Sequence, residues 1–184
     1  LGDVYKRQVN GVAEITPDDT PETDTVLTVN GELKIVPGSA EVLARYLQIT
    51  VNGQVYCPRS LSGKLGNVAV NGQIITWPDG AVQLKTIAVL DSTFALRAKP
   101  ALYWAARCAV MLDPALDAAA LAKQGVRFDT PRAILAQSLA TQAAPLFEDD
   151  TDLEIVPDGT AYLKDDAELT AALIRRKGNK LYVD

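Results

Sequence analysis

Histidine is absent from the sequence, and cysteine occurs twice, at Cys57 and Cys108. Without an imidazole the usual general acid–base group at neutral pH is missing, which removes Ser-His-Asp and Cys-His sites. Two widely separated thiols give neither a disulfide framework nor metal-binding spacing. Both lie in apolar runs and read as small core residues. Uninterrupted apolar runs long enough for a membrane span are also missing, and the opening residues lack the succession of a secretion signal. Cytoplasmic residence is the expectation. An excess of positive charge is lacking too, since 18 Lys and Arg face 23 Asp and Glu for a net charge of −5. That balance argues against nucleic acid as a partner. Charge is unevenly spread: a basic middle (Arg59, Lys64, Lys85, Arg97, Lys99, Arg107) precedes an acidic stretch from Glu148 to Glu168. It reads as solvated surface, with self-association as the other use.

A repeat is present. Val-Asn-Gly recurs at Val9, Val29, Val51 and Val70, with spacings of 20, 22 and 19 residues. An apolar residue follows two positions after each glycine (Ala13, Leu33, Val55, Ile74), and a proline five or six positions after it (Pro17, Pro37, Pro58, Pro78). Self-similarity at a fixed interval marks stacked units, none of which buries its apolar side alone. The pattern predicts an α/β right-handed solenoid of about 20-residue strand-turn-strand/helix coils over residues 9–184 as a single domain. A series of β-hairpins with short helices is the alternative, since Asn-Gly also suits a type I′ turn. It leaves the constant offset of proline unexplained.

Along the chain, Leu1 to Gln8 does not fit the repeat and is expected to be a non-native or unstructured segment, of the kind that heads translated environmental reading frames. Thr16 to Thr25 is an acidic, proline-containing connection without the ligand order of a calcium loop. Helices are expected at Ser39–Leu47 behind a serine cap, at Ser60–Leu65 as a single turn, and at Ala115–Gln124, Arg132–Leu139 and Asp166–Lys177. Strands are expected at Val26–Val36, Val68–Ile75, Ala81–Val89, Cys108–Leu112, Val126–Phe128, Asp152–Val156 and Lys180–Val183, and Ala81–Leu102 reads as β-rich.

With its VNG motifs, the CP and WPDG that follow them, and the later VRFDTPRAILAQ, the chain from Val26 to Asp184 resembles a group of uncharacterised bacterial repeat proteins. Their coils mix strand and helix. The resemblance implies a leucine-rich-repeat-like or β-solenoid architecture and brings no activity with it.

Chemistry is sparse. Asp79 and Asp158, matched in their Pro-Asp-Gly settings, are the carboxylate pair to weigh for glycoside hydrolysis, but this setting is first a turn. Gly63-Lys64 lacks the rest of a phosphate loop. Trp77, Trp104, Tyr56 and Tyr103 would stack on sugars or bases only from an exposed face, and a bulky residue closing a core is the commoner use. Asn10, Asn30, Asn52 and Asn71 read as turn formers. No catalytic, cofactor or metal residue is assigned. The expected role is a non-enzymatic protein-interaction or scaffolding repeat module with an unidentified protein partner and no membrane contact. A carbohydrate-active or sugar-binding β-helix and a self-assembling structural protein are the alternatives.

Overall fold

Each Val-Asn-Gly lies inside a strand, not at a hairpin tip. In the computed structural model, which describes residues 3–162, 173–177 and 180–183, the first four strands are β1 (Tyr5–Ile15), β2 (Thr25–Ile35), β3 (Tyr46–Pro58) and β4 (Val68–Trp77). They form one parallel sheet in the order β1-β2-β3-β4. Every Asn-Gly stands beside the next: Asn10 by Asn30, Asn30 by Asn52, and Asn52 by Asn71. Antiparallel hairpins built on these turns are therefore excluded. The register follows from period-two alternation, because a slip of one residue would turn every apolar row to solvent. Leu27, Val29, Leu33 and Ile35 face a core completed by Ile49, Val51, Val55 and Cys57 of β3 and by Val42 and Leu43 of α1 (Ala40–Arg45).

Departures from the expected elements are local. Tyr5–Gln8, expected to be unstructured, pairs with Thr25–Thr28 because the edge of β2 offers unpaired backbone groups to the residues beside it. Tyr46 and Leu47 begin β3 and do not continue α1; the register shift there leaves Leu47 as an exposed extra residue. Ser39 does not cap α1 with its side chain. Its buried hydroxyl donates to the carbonyls of Val36 (2.6 Å) and Ile15 (3.2 Å). Asn67, from the next repeat, donates to the carbonyls of Leu43 (2.8 Å) and Tyr46 (2.9 Å), so the helix end is satisfied across the stack. Arg59–Lys64 is a 3₁₀ turn.

The chain divides into two compact units, 1–79 and 80–184. In the second, two parallel sheets alternate along the chain. Strands β5 (Val82–Gln83), β7 (Leu102–Trp104) and β9 (Arg127–Asp129) form one sheet. Strands β6 (Ile87–Val89), β8 (Cys108–Met111), β10 (Arg132–Ala136) and β11 (Asp152–Val156) form the other. Helices α2 (Ser92–Arg97), α3 (Ala118–Lys123) and α4 (Ala140–Ala143) follow β6, β8 and β10.

Arg132–Ala136, expected to open a helix, is a strand. Ala133, Leu135 and Ala136 join one core cluster, while Ile134 joins Cys108, Val110 and Val156 in another. A segment buried on both faces between two parallel neighbours is better satisfied as a strand. Conversely, Ser92–Arg97 lies in a stretch expected to be β-rich and is helical, capped by the Asp91 carboxylate accepting from Phe94 N–H at 3.0 Å. Of the helix expected at Asp166–Lys177, residues 166–172 lie outside the described residues. Leu173–Lys177 is strand β13, antiparallel to β12 (Ala161–Tyr162) and β14 (Lys180–Val183). The described residues are thus mixed strand and helix with parallel sheets and no closed barrel. No described helix is long and apolar enough to cross a membrane.

Candidate functional site

Strand alternation decides which side chains of β1–β4 leave the core. The residues between the buried rows form rows of their own across the strands, Thr28 by Thr50, Glu32 by Gln54 by Gln73, and Lys34 by Tyr56. The asparagines form the row with a continuous chemistry. Asn30 Nδ2 donates to Asn10 Oδ1 at 2.9 Å, Asn52 Nδ2 to Asn30 Oδ1 at 2.9 Å, and Asn71 Nδ2 to Asn52 Oδ1 at 2.8 Å. Every amide points the same way, so each bond polarises the next. Gln8 Nε2 adds a bond to Asn10 Oδ1 at 3.1 Å. The asparagines are therefore not turn formers but an exposed amide ladder within the strands.

Beside the ladder runs a column of glycines. At Gly53, φ is +144° and an added Cβ would lie 1.9 Å from the carbonyl oxygen of Gly31. Gly31 and Gly72 stand in the same relation to the glycines before them, at 2.2 and 1.8 Å. Asn-Gly is kept together because the amide ladder and the close backbone approach occupy neighbouring rows.

The carboxylates considered for catalysis are tied elsewhere. Asp79 accepts from Ser60 N–H at 3.0 Å, and Asp158 from Ser138 N–H at 3.0 Å, each at its own turn in its own unit. Asp113 repeats the arrangement with Ser92 N–H at 3.0 Å and also accepts from Ala115 N–H at 2.8 Å. Three carboxylates thus bond to a serine 19 to 21 residues earlier in the chain. The serine half of this stitch was not singled out in the sequence, although the recurring interval is visible there.

These bonds stabilise the ionised form. The Ser60 hydroxyl and N–H hold Asp79 below the ordinary carboxylate value of 3.8, and Ser92 and Ala115 N–H do the same for Asp113. A depressed folded value means that the unfolded chain binds protons more readily. The contribution is therefore complete above the ordinary value and is lost as pH falls through the lower folded one. Acid titration of stability should show a loss beginning near pH 3.8 and shrinking in an Asp79→Asn/Asp113→Asn double variant. Equal acid sensitivity of the two proteins would contradict the assignment.

Trp77, Trp104 and Tyr103 are buried. Tyr103 places its hydroxyl on the Lys99 backbone, accepting from N–H at 3.0 Å and donating to the carbonyl at 3.3 Å. Of the four aromatics, Tyr56 alone stands on the outward rows, donating to Gln54 Oε1 at 2.9 Å. No family model matches the sequence, and no curated protein or solved structure shows a significant similarity to it.

Cys57 and Cys108 are buried, and burial pushes both thiols up, aided at Cys57 by Asp79 and opposed at Cys108 by Arg132. Asp19 in the acidic connection accepts from Thr16 N–H (2.9 Å) and hydroxyl (3.1 Å), the bonding of a local turn. Among the described residues no three acidic or thiol groups converge as metal ligands. In the acidic stretch, Glu148 pairs with Arg127 at 3.5 Å and Glu154 with Arg132.

Proposed function

We propose that the chain is a right-handed solenoid that works as a non-enzymatic protein-interaction or scaffolding module, with the outward rows of β1–β4 as its contact surface. The observation that carries the reading is the register: strands 20, 22 and 19 residues apart align Asn with Asn and Gly with Gly. In the second unit, strand starts such as Ile87, Cys108, Arg132 and Asp152 pair at comparable intervals. Stacked repeats offer an extended surface whose side chains are already ordered, so a partner loses little additional entropy on binding. The rows supply amide and hydroxyl groups with Glu32, Lys34 and Tyr56 among them, suited to a polar protein surface.

The carbohydrate alternative has less support. Three of its four aromatics are buried, and its two carboxylates are bonded at separate turns.

Thr50 and Gln73 project from the rows without belonging to the ladder. A Thr50→Lys/Gln73→Lys double variant, with unchanged circular dichroism, tests the reading. A partner captured from native lysate by the parent chain, then purified, should bind the variant roughly tenfold or more weakly. Equal binding, or hydrolysis of a glycan by the parent chain, would sink it.

A further inference from the structure

Asparagine is a thermally labile residue, and a glycine after it leaves the attacking nitrogen unhindered by any side chain. That backbone nitrogen, on losing its proton, attacks the asparagine Cγ: an N–Cγ bond forms, the Cγ–Nδ2 bond breaks and ammonia leaves. Water then opens the cyclic imide at either carbonyl, giving aspartate or isoaspartate. The sequence holds four Asn-Gly pairs, and in two of them, Asn30-Gly31 and Asn52-Gly53, the asparagine has a ladder neighbour on both sides.

At these two positions the fold opposes the attack by geometry and not by exclusion of water, since the ladder bonds are exposed. The Asn30 carboxamide donates to Asn10 at 2.9 Å and accepts from Asn52 at 2.9 Å; that of Asn52 accepts in turn from Asn71 at 2.8 Å. Both groups are thus held across the strands, toward the neighbouring asparagines, whereas the nitrogen that would attack lies along the strand. Turning Cγ onto it breaks two amide bonds at once. The glycines are held as well, Gly31 between Gly11 and Gly53, and Gly53 between Gly31 and Gly72, so the backbone cannot swing toward the side chain without opening the sheet.

The products do not fit where the asparagines were. An aspartate in place of Asn52 has no N–H for Asn30 Oδ1, which sets two acceptors where a 2.9 Å bond stood. Isoaspartate disturbs more, because its main chain runs through the former side chain and is one carbon longer. Val51 and Val55, both fully buried on either side of the lengthened link, can then no longer hold their rows together. Gly53 also leaves the place where the lack of a Cβ lets it clear the Gly31 oxygen.

We infer that Asn30 and Asn52 are conditional deamidation sites: the folded first unit keeps their amides, the unfolded chain loses them, and the isoaspartate formed blocks return to the native register. Prolonged unfolding of this unit is thereby made irreversible.

The test incubates the full chain at mildly alkaline pH, folded in buffer or unfolded in guanidinium chloride, with a thiol reductant protecting Cys57 and Cys108. Peptide mass spectrometry then resolves aspartate from isoaspartate at each pair. Amide loss at Asn30 and Asn52 should be at least roughly a hundredfold slower in the folded chain, because it requires local opening of strands paired on both sides. After dilution from denaturant, native and non-native chains are separated by chromatography, and the native fraction should be depleted of isoaspartate at positions 30 and 52 by roughly tenfold or more. A sample held equally long in denaturant at mildly acid pH, where few glycine nitrogens lose their proton, should refold fully. Equal rates in folded and unfolded chains, absence of amide loss in denaturant, or isoaspartate at 30 and 52 spread evenly between the two fractions would overturn the inference.

Discussion

Gly53→Ala is expected to destabilise the first unit by at least about 3 kcal/mol, and Gly11→Ala by about 1–2 kcal/mol. Both glycines have positive φ, +144° and +115°, so alanine strains the backbone at either. They differ in what the methyl group meets. At Gly53 it would lie 1.9 Å from the Gly31 oxygen and 2.9 Å from the Gly31 carbonyl carbon; at Gly11 it meets nothing within 4 Å. Backbone cannot yield as a flexible side chain can. Strands β2 and β3 would have to separate, disturbing their ladder and the 2.9 Å bond from Asn52 to Asn30. Urea denaturation in a Trp104→Phe background, where Trp77 alone reports fluorescence, measures both variants in the first unit. Equal midpoints would show that the close approach of the glycines does not govern the sheet.

Phe128→Ala is expected to remove about 3–5 kcal/mol from the second unit. The Phe128 ring is buried, with ring centroids 5.8 Å from Phe94, 5.8 Å from Tyr103 and 5.5 Å from Phe147. Tyr103 and Phe128 are paired across β7 and β9, and a single parallel bridge joins Phe128 to Phe147. The aromatic column thus repeats in the core of this unit the residue-over-residue stacking seen in the asparagines of the other. Truncation leaves a cavity that three rings, fixed by helix α2, strand β7 and the turn at Phe147, cannot collapse to fill, and it removes their contacts with Phe128. Leu96→Ala is the control: the side chain is 86 % exposed, and its loss should change stability by less than about 0.5 kcal/mol. A loss below about 1 kcal/mol for Phe128→Ala would show that the column is not a principal part of that core.

The parallel alignment of β1–β4 could be read from the recurrence of Val-Asn-Gly, because identical residues at a constant interval have identical spatial requirements. The direction taken by the asparagine side chains could not. By sequence they read as turn formers, because Asn and Gly tolerate the positive φ of a tight corner, whereas in the sheet four adjacent copies inside strands supply one another with amide partners. Arg132–Ala136 shows the same limit. Its alanines and leucine suit a helix by themselves, and the partners that make it a strand, β8 and β11, lie 24 and 20 residues away in the chain. Tyr5–Gln8 carries no repeat signature, and its pairing depends on the open edge of β2.

The candidate site was legible in part. Asp79 and Asp158 were recognisable as turn residues, since proline before and glycine after them restrict the backbone locally. Their shared partner type, a serine N–H about twenty residues earlier, emerged only when successive repeats lay side by side. The sequence by itself determined the interval, which is a recurrence along the chain, and the inward rows, which are a property of single strands with period-two alternation. Tertiary structure decided why glycine is needed, which short segments become strands, and that the asparagines bond to one another. Each of those outcomes depends on backbone and side-chain groups contributed by another repeat.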